Sequence, residues 1–138
     1  MVIYKDTLDD ITPGKLTGFF DGWKDPPSPD THFQILKNSS HFILAIDEDT
    51  DSVIGFINTI SDNILSAYIP LLEVLPSYRG KGIGSELVNQ MLKKLDGLYM
   101  IDITCDPGLQ PFYEKFNLTP STGMFKRNYS LQSGKNCE

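Results

Sequence analysis

The chain has 138 residues, of which 40% are hydrophobic, 11% aromatic and 22% charged. That is the size and composition of one globular domain, and it excludes disordered, collagen-like and low-complexity classes. Twelve Lys and Arg against eighteen Asp and Glu leave a formal net charge of -6, the wrong sign for a surface that binds the phosphate backbone of nucleic acid.

Cys105 and Cys137 form no C-x-x-C pair and no disulfide framework, so two thiols in a reducing compartment are expected. Residues 1–6 carry Lys5 and Asp6 and no apolar run typical of a secretory signal. The uncharged stretch 63–72 is too short for a bilayer span of about 20 residues. The expectation is a soluble cytoplasmic protein with no membrane partner.

Val2-Ile3-Tyr4 predicts a first strand, followed by an acidic turn and a weakly helical segment over 13–20, where the glycines count against a stable helix. Residues 22–30, rich in Gly and Pro and carrying Trp23, read as a loop. A helix is expected through Phe33 to Lys37, ending at Asn38-Ser39-Ser40. Strands over 41–46 and 53–60 flank an acidic hairpin loop at 47–51.

The run 65–75 predicts a fourth strand interrupted by Pro70, which has no N–H for a ladder and implies an edge, a bulge or a place where strands part. Ile83, Leu87, Met91 and Leu95 recur every four residues with Val88 and Leu92 beside them, the stripe of an amphipathic helix. Residues 99–104 read as the fifth strand, 111–115 as a short last helix and 124–131 as a closing strand. A strand, loop, helix, strand succession is a right-handed crossover, so strands four and five should be parallel in a sheet whose strands one to four are antiparallel. The fold class is therefore α/β with a mixed central sheet and flanking helices: one domain over 1–132 and a loose tail over 133–138.

Arg79-Gly80-Lys81-Gly82-Ile83-Gly84-Ser85 joins the fourth strand to the amphipathic helix. Alternate glycines let a ligand approach the backbone, and the unpaired N–H groups and dipole of a helix start favour an anion such as a pyrophosphate. Arg79 and Lys81 add positive charge; the alternative is a tight glycine turn with two solvated basic residues. A Walker A loop is excluded, because its Gly-Lys-Ser/Thr ending is missing. A dinucleotide fingerprint fits poorly: Gly80, Gly82 and Gly84 are spaced one apart throughout and lie late in the chain.

Residues 72–87, with Arg79-Gly80-Lys81-Gly82-Ile83-Gly84 at their centre and Pro76 before it, resemble the acetyl-CoA-binding motif of the GCN5-related N-acetyltransferase (GNAT) superfamily. A second segment, 106–118, containing Phe112-Tyr113-Glu114-Lys115, looks like a later motif of the same family. Asp106 stands where many members carry Asn, and Asn117-Leu118 where Gly-Phe is common. The resemblance covers roughly residues 42–130.

It implies a GNAT-like fold and an N-acetyltransferase that moves the acetyl group of acetyl-CoA to a primary amine, on a small molecule or a peptide, by direct attack in a ternary complex. The alternative is a non-catalytic acyl-CoA-binding module or sensor. By resemblance, the backbone of Arg79, Gly80, Lys81, Gly82, Ile83, Gly84 and Ser85 binds the pyrophosphate, and Leu72 and Val74 pair with the pantetheine as an added strand. The N–H of Val74 would then stabilise the oxyanion. Tyr113 would protonate the departing thiolate, since a phenol with a pKa of about 10 is protonated at neutral pH; otherwise it is an aromatic anchor for the short helix.

Glu73, between apolar neighbours on the same strand, is the candidate base, and Tyr68 is a candidate wall of the cleft. Cys105 is expected to be a buried structural thiol, because neither His32 nor His41 is placed by a motif to activate it. The same two histidines give no metal-ligand spacing. Trp23, residues 61–63, Phe125, Arg127 and Tyr129 are expected around the acceptor cleft. The resemblance allows a homodimer, which no motif in the sequence marks.

Overall fold

A computed structural model describes residues 1–135; Cys137 and the end of the expected tail lie outside them. The sheet contains β1 (Val2–Lys5), β2 (His41–Asp47), β3 (Ser52–Ser61), β4 (Ser66–Tyr68), β5 (Leu72–Val74) and β6 (Met100–Asp102). Their order is β1-β2-β3-β4-β6, with β5 beside β3. The first five strands pair antiparallel, and β6 runs parallel to β4 with Ala67 opposite Ile101. This is the mixed sheet expected from the crossover.

Both faces of the sheet are covered, as the side chains of β2 show. Ile43 and Ala45 point to one side and pack with Ile83, Leu87, Met91 and Leu95 of the helix α2 (Ile83–Lys94) and the turn after it. Leu44 and Ile46 point to the other side and pack with Leu16, Phe19, Phe20 and Leu36, the last on α1 (Pro29–Asn38). A strand alternates its side chains between two faces, so burial of all four residues 43–46 means apolar layers on both. Among the described residues, no helix is long and apolar enough to cross a membrane.

Three local expectations are corrected. The helix α1 starts at Pro29 and not near Phe33, because the Ser28 hydroxyl accepts the Thr31 N–H at 3.1 Å as an N-cap and Pro29 fits the first helical position. Segment 13–20 is helical only as a 3₁₀ turn at Pro13–Leu16, after which Gly18 and Phe20 take positive φ and turn the chain.

The third correction concerns residues 124–131, which form no strand. Met124 and Phe125 line, with Met100, Ile101 and Asp102, a groove of about 1040 Å³, and among the described residues no strand of the sheet pairs with 124–131. At Asn128 the side chain accepts the Ser130 N–H and starts a 3₁₀ turn at Tyr129–Leu131. The expected tail is also anchored at its base: the Gln132 side chain accepts the Asp25 N–H at 2.9 Å, and the Gly134 N–H donates to the Leu131 carbonyl.

Candidate active site

Pro70 divides the fourth strand of the sequence in two. In β4, Tyr68 lies opposite Ile60, while in β5, Leu72 lies opposite Ile57, a slip of one residue that marks a bulge at 69–71. Asn58, 1% exposed, holds the bulge. Its backbone N–H donates to the Leu71 carbonyl, its side-chain oxygen accepts the Leu71 N–H at 3.1 Å, and its amide donates to the Ser39 hydroxyl at 3.0 Å.

Beyond this point β6 and β5 part. The Ile69 N–H still donates to the Asp102 carbonyl at 3.0 Å, but β5 pairs with β3 alone. The phase of the ladder then fixes which groups are left over. Bonds from Asn58 N to Leu71 O and from Leu75 N to Ile54 O turn residues 71, 73 and 75 toward β3, so the N–H and C=O groups of Leu72 and Val74 face the open side. The Val74 carbonyl accepts from Arg79 Nε at 2.9 Å. The backbone of Leu72 and Val74, which the resemblance assigns to the pantetheine, thus lies on the side of β5 away from β3.

The glycine loop meets this edge. Gly80 and Gly82 take φ of 78° and 82°, with nothing within 4 Å of where a side chain would begin, so the backbone there is open to approach. Gly82 is the N-cap of α2 and supplies no side-chain cap, leaving the first N–H groups of the helix for an external anion. Tyr78 anchors the loop from below by donating to the Asp47 carboxylate at 2.5 Å, which holds that carboxyl below its usual range. The Lys81 ammonium lies over the Tyr78 ring at 5.5 Å. A Cβ at Gly84 would stand 3.8 Å from both Val74 and Phe112, so loop, open strand and α3 (Gln110–Glu114) converge at one glycine.

Beside the parting strands is a cavity of about 420 Å³ whose walls include Leu72, Glu73, Cys105 and Tyr113. Tyr113, 8% exposed, packs edge-on against Phe112 at 4.9 Å. Burial, helped by the neighbouring Cys105, pushes its phenol up to about 12, so it holds its proton at neutral pH. Both readings of Tyr113 are therefore compatible: it is packed, and it also reaches the cavity.

Glu73 Oε1 accepts the Phe20 N–H at 2.7 Å and Oε2 the Asp21 N–H at 3.2 Å, tying the positive-φ turn at Phe20 to β5. Cys105 is half-buried on the cavity wall and not sealed in the core. Tyr68 donates to or accepts from the Thr104 hydroxyl at 2.8 Å and lines the larger groove, outside the smaller cavity.

The chain matches the model of the acetyltransferase (GNAT) family over residues 8–118. It belongs to the GNAT acetyltransferase family. A crystal structure of a candidate acetyltransferase from Deinococcus radiodurans R1 superposes with a TM-score of 0.96 at 45% identity, covering 99% of this chain and 94% of that one. A GNAT family protein from Streptococcus pneumoniae gives a TM-score of 0.69 at 26% identity, covering 93% and 98%. An uncharacterised N-acetyltransferase from Pyropia yezoensis is 33% identical over 84 residues, 58% of this chain and 48% of that protein. The chain thus spans about half the length, or less, of the curated relatives it matches.

Within this GNAT fold, the residues anticipated around the acceptor side separate. Trp23, Phe125 and Arg127 line the cavity with Glu73, whereas residues 61–63 and Tyr129 do not. Nothing in the sequence reading marks Asn58, although the polar pair Asn58-Thr59 between the apolar run 53–57 and Ile60 is a readable signal. Phe20 was likewise unmarked, because its place beside Glu73 depends on contacts 53 residues apart.

Proposed function

We propose that this chain transfers the acetyl group of acetyl-CoA to a primary amine by direct attack in a ternary complex. The observation that carries the reading is the open edge of β5, where the Val74 N–H faces away from β3 and the Val74 side chain lies beside Gly84 of the glycine loop, while the protonated Tyr113 lines the cavity with Leu72 and Glu73. Acetyl-CoA as donor fits the residues present: the N-terminus of α2 offers backbone N–H groups to a pyrophosphate, and Gly80 and Gly82 leave space above them. The open edge offers alternate backbone groups to the amides of a pantetheine arm.

In this reading, the residues Arg79 through Ser85 bind the phosphates, and Leu72 and Val74 hold the arm. The Val74 N–H donates to the thioester carbonyl and stabilises the charge that grows on its oxygen as the amine attacks. Tyr113 returns a proton to the thiolate as it leaves. Glu73 takes the proton of the attacking ammonium: a carboxylate has about four lone-pair sites, so bonds to two backbone N–H groups leave acceptor capacity toward the cavity.

Thermal unfolding with acetyl-CoA, coenzyme A, NAD and ATP, followed by an amine panel, tests this. A rise in midpoint with the two coenzyme A species alone, together with turnover of an amine, is the expected result. No shift with either species would overturn the loop assignment. Binding without turnover of any amine would make the chain an acyl-CoA-binding module.

A further inference from the structure

Two segments far apart in the chain meet around the smaller cavity. The loop after the turn at Phe20 brings Trp23, and the stretch after α3 brings Phe125 and Arg127, all lining the cavity with Glu73. The segments are tied to each other: the Gln132 side chain accepts the Asp25 N–H at 2.9 Å across 107 residues. Phe125 and Arg127 are alternate residues and both face the cavity, whereas Lys126 between them is not part of its wall.

Among the described residues, Arg127 is the one cation on these walls, facing the carboxylates of Glu73 and Asp106 in a chain of net charge -6. Its guanidinium lies 4.3 Å from the centre of the Phe125 ring, and a guanidinium stacked on a ring keeps N–H donors free at its edge. Two acids border the same cavity, yet among the described residues no carboxylate pairs with Arg127 and no hydrogen bond engages its side chain. A stacked cation without a counter-ion, placed in a cavity with acids elsewhere on its walls, matches a ligand that carries charges of both signs.

Resting on the transferase reading above, we propose that the acceptor is a free amino acid with an apolar side chain, its carboxylate held by Arg127 and its ammonium by Glu73. A guanidinium takes a carboxylate through two parallel N–H···O bonds, and one guanidinium balances one negative charge. A phosphate ester, with a charge of about -1.5 to -2 at pH 7, would leave part of its charge unmatched beside Glu73 and Asp106. The Glu73 carboxylate accepts the Phe20 and Asp21 N–H groups and retains lone pairs for an ammonium. Trp23 and Phe125 are 39% and 68% exposed, apolar surface that a bound side chain would cover.

Size agrees with this acceptor: the cavity of about 420 Å³ stands near the small end of ligand sites, roughly 300–1,000 Å³. In the transfer, the N–C bond forms as the C–S bond of the thioester breaks. Of the two protons that the ammonium nitrogen loses, one goes to Glu73 and on to solvent, and the other replaces the proton that Tyr113 gives to the thiolate. The products are an N-acetyl amino acid and coenzyme A. None of the residues 79–85 lines this cavity, so recognition of the carboxylate is separable from binding of the coenzyme.

Trp23 is the chain's single tryptophan, so its fluorescence reports on the cavity whether or not acetyl transfer occurs. The test titrates the chain, with coenzyme A present, with phenylalanine, leucine and their decarboxylated counterparts 2-phenylethylamine and 3-methylbutylamine, and measures kcat/KM for the same four with acetyl-CoA. Each amino acid is expected to bind and react about 10–10²-fold better than its matching amine. Arg127→Gln should bring that ratio close to one and Arg127→Lys should keep part of it, with coenzyme A affinity in calorimetry retained in both. A ratio near one in the unmodified chain, or one that survives Arg127→Gln, would overturn the proposal, and turnover of the plain amines would then leave the transferase reading standing. Loss of coenzyme A affinity in Arg127→Gln would also overturn it, by assigning Arg127 to the coenzyme. Selective binding of the amino acids without turnover of any would uphold the carboxylate site and overturn the transferase reading. If a variant does not fold, the ratio in the unmodified chain decides.

Discussion

The two halves of the strand broken at Pro70 make an instructive pair. In β4, Ser66 to Tyr68 are bonded on both edges, to β3 and to β6; in β5, Leu72 to Val74 are bonded on one, to β3. The sequences are equally short and mostly apolar, so strand propensity does not separate them. What separates them is the extra residue in the bulge, held by Asn58, which swings the second half out of reach of the chain after β6. The first half is closed on both edges and the second keeps one edge open, where backbone groups without a sheet partner are free to bind something else.

Filling the open side should produce the largest effect. Gly82→Asp places a side chain at φ of 82° and a negative charge at the start of α2, and it is expected to abolish coenzyme A binding in calorimetry while the far-ultraviolet spectrum is retained. Normal affinity would mean that the loop is only a turn. Tyr113→Phe keeps the packing against Phe112 and removes the proton donor; transfer should slow by about 10²-fold with binding unchanged. Glu73→Gln should lower turnover at neutral pH and alter its pH profile. An unchanged profile would leave Glu73 with the single task of holding Phe20 and Asp21.

Two smaller effects address how the halves are kept apart. Asn58→Leu leaves the Leu71 N–H without its acceptor and removes the donor to the Ser39 hydroxyl, which keeps its bond to the Ile35 carbonyl; this should cost about 1–3 kcal/mol in urea unfolding and weaken coenzyme A binding through the misplaced edge of β5. Unaltered stability would show that Pro70 alone sets the divergence.

His32 supports β5 from behind: its ring is 4.3 Å from that of Phe56, the residue opposite Glu73. Burial without a partner for either ring nitrogen lowers its pKa from 6.5 to about 4. The unfolded chain therefore binds the proton first, and stability present above pH 6.5 is lost as pH falls toward 4, on the order of 1–3 kcal/mol. His32→Leu should flatten the slope of the unfolding midpoint between pH 6.5 and 4, and an unchanged slope would assign the acid sensitivity to other groups.

Much of this protein was legible in its residues. The period of Ile83, Leu87, Met91 and Leu95 places α2, Pro70 marks the break, and the spacing of Gly80, Gly82 and Gly84 locates the open glycine turn at the start of α2, because each is a local rule of backbone geometry. The parallel pairing of β4 and β6 follows from the handedness of crossovers. Local rules also explain where the reading of 124–131 as a strand goes astray, since alternation describes what a segment can pair with and says nothing about whether a partner is within reach.

The sequence by itself thus determined α2, most of the strands, the break at Pro70 and the glycine turn before α2, all of which rest on contacts within a few residues. Only the tertiary structure decided that Val74 faces the open side, that Glu73 holds the turn at Phe20, that Cys105 borders Tyr113 and that, among the described residues, residues 124–131 join no strand. These depend on register and on meetings between distant segments, where a shift of one residue turns every group to the opposite side.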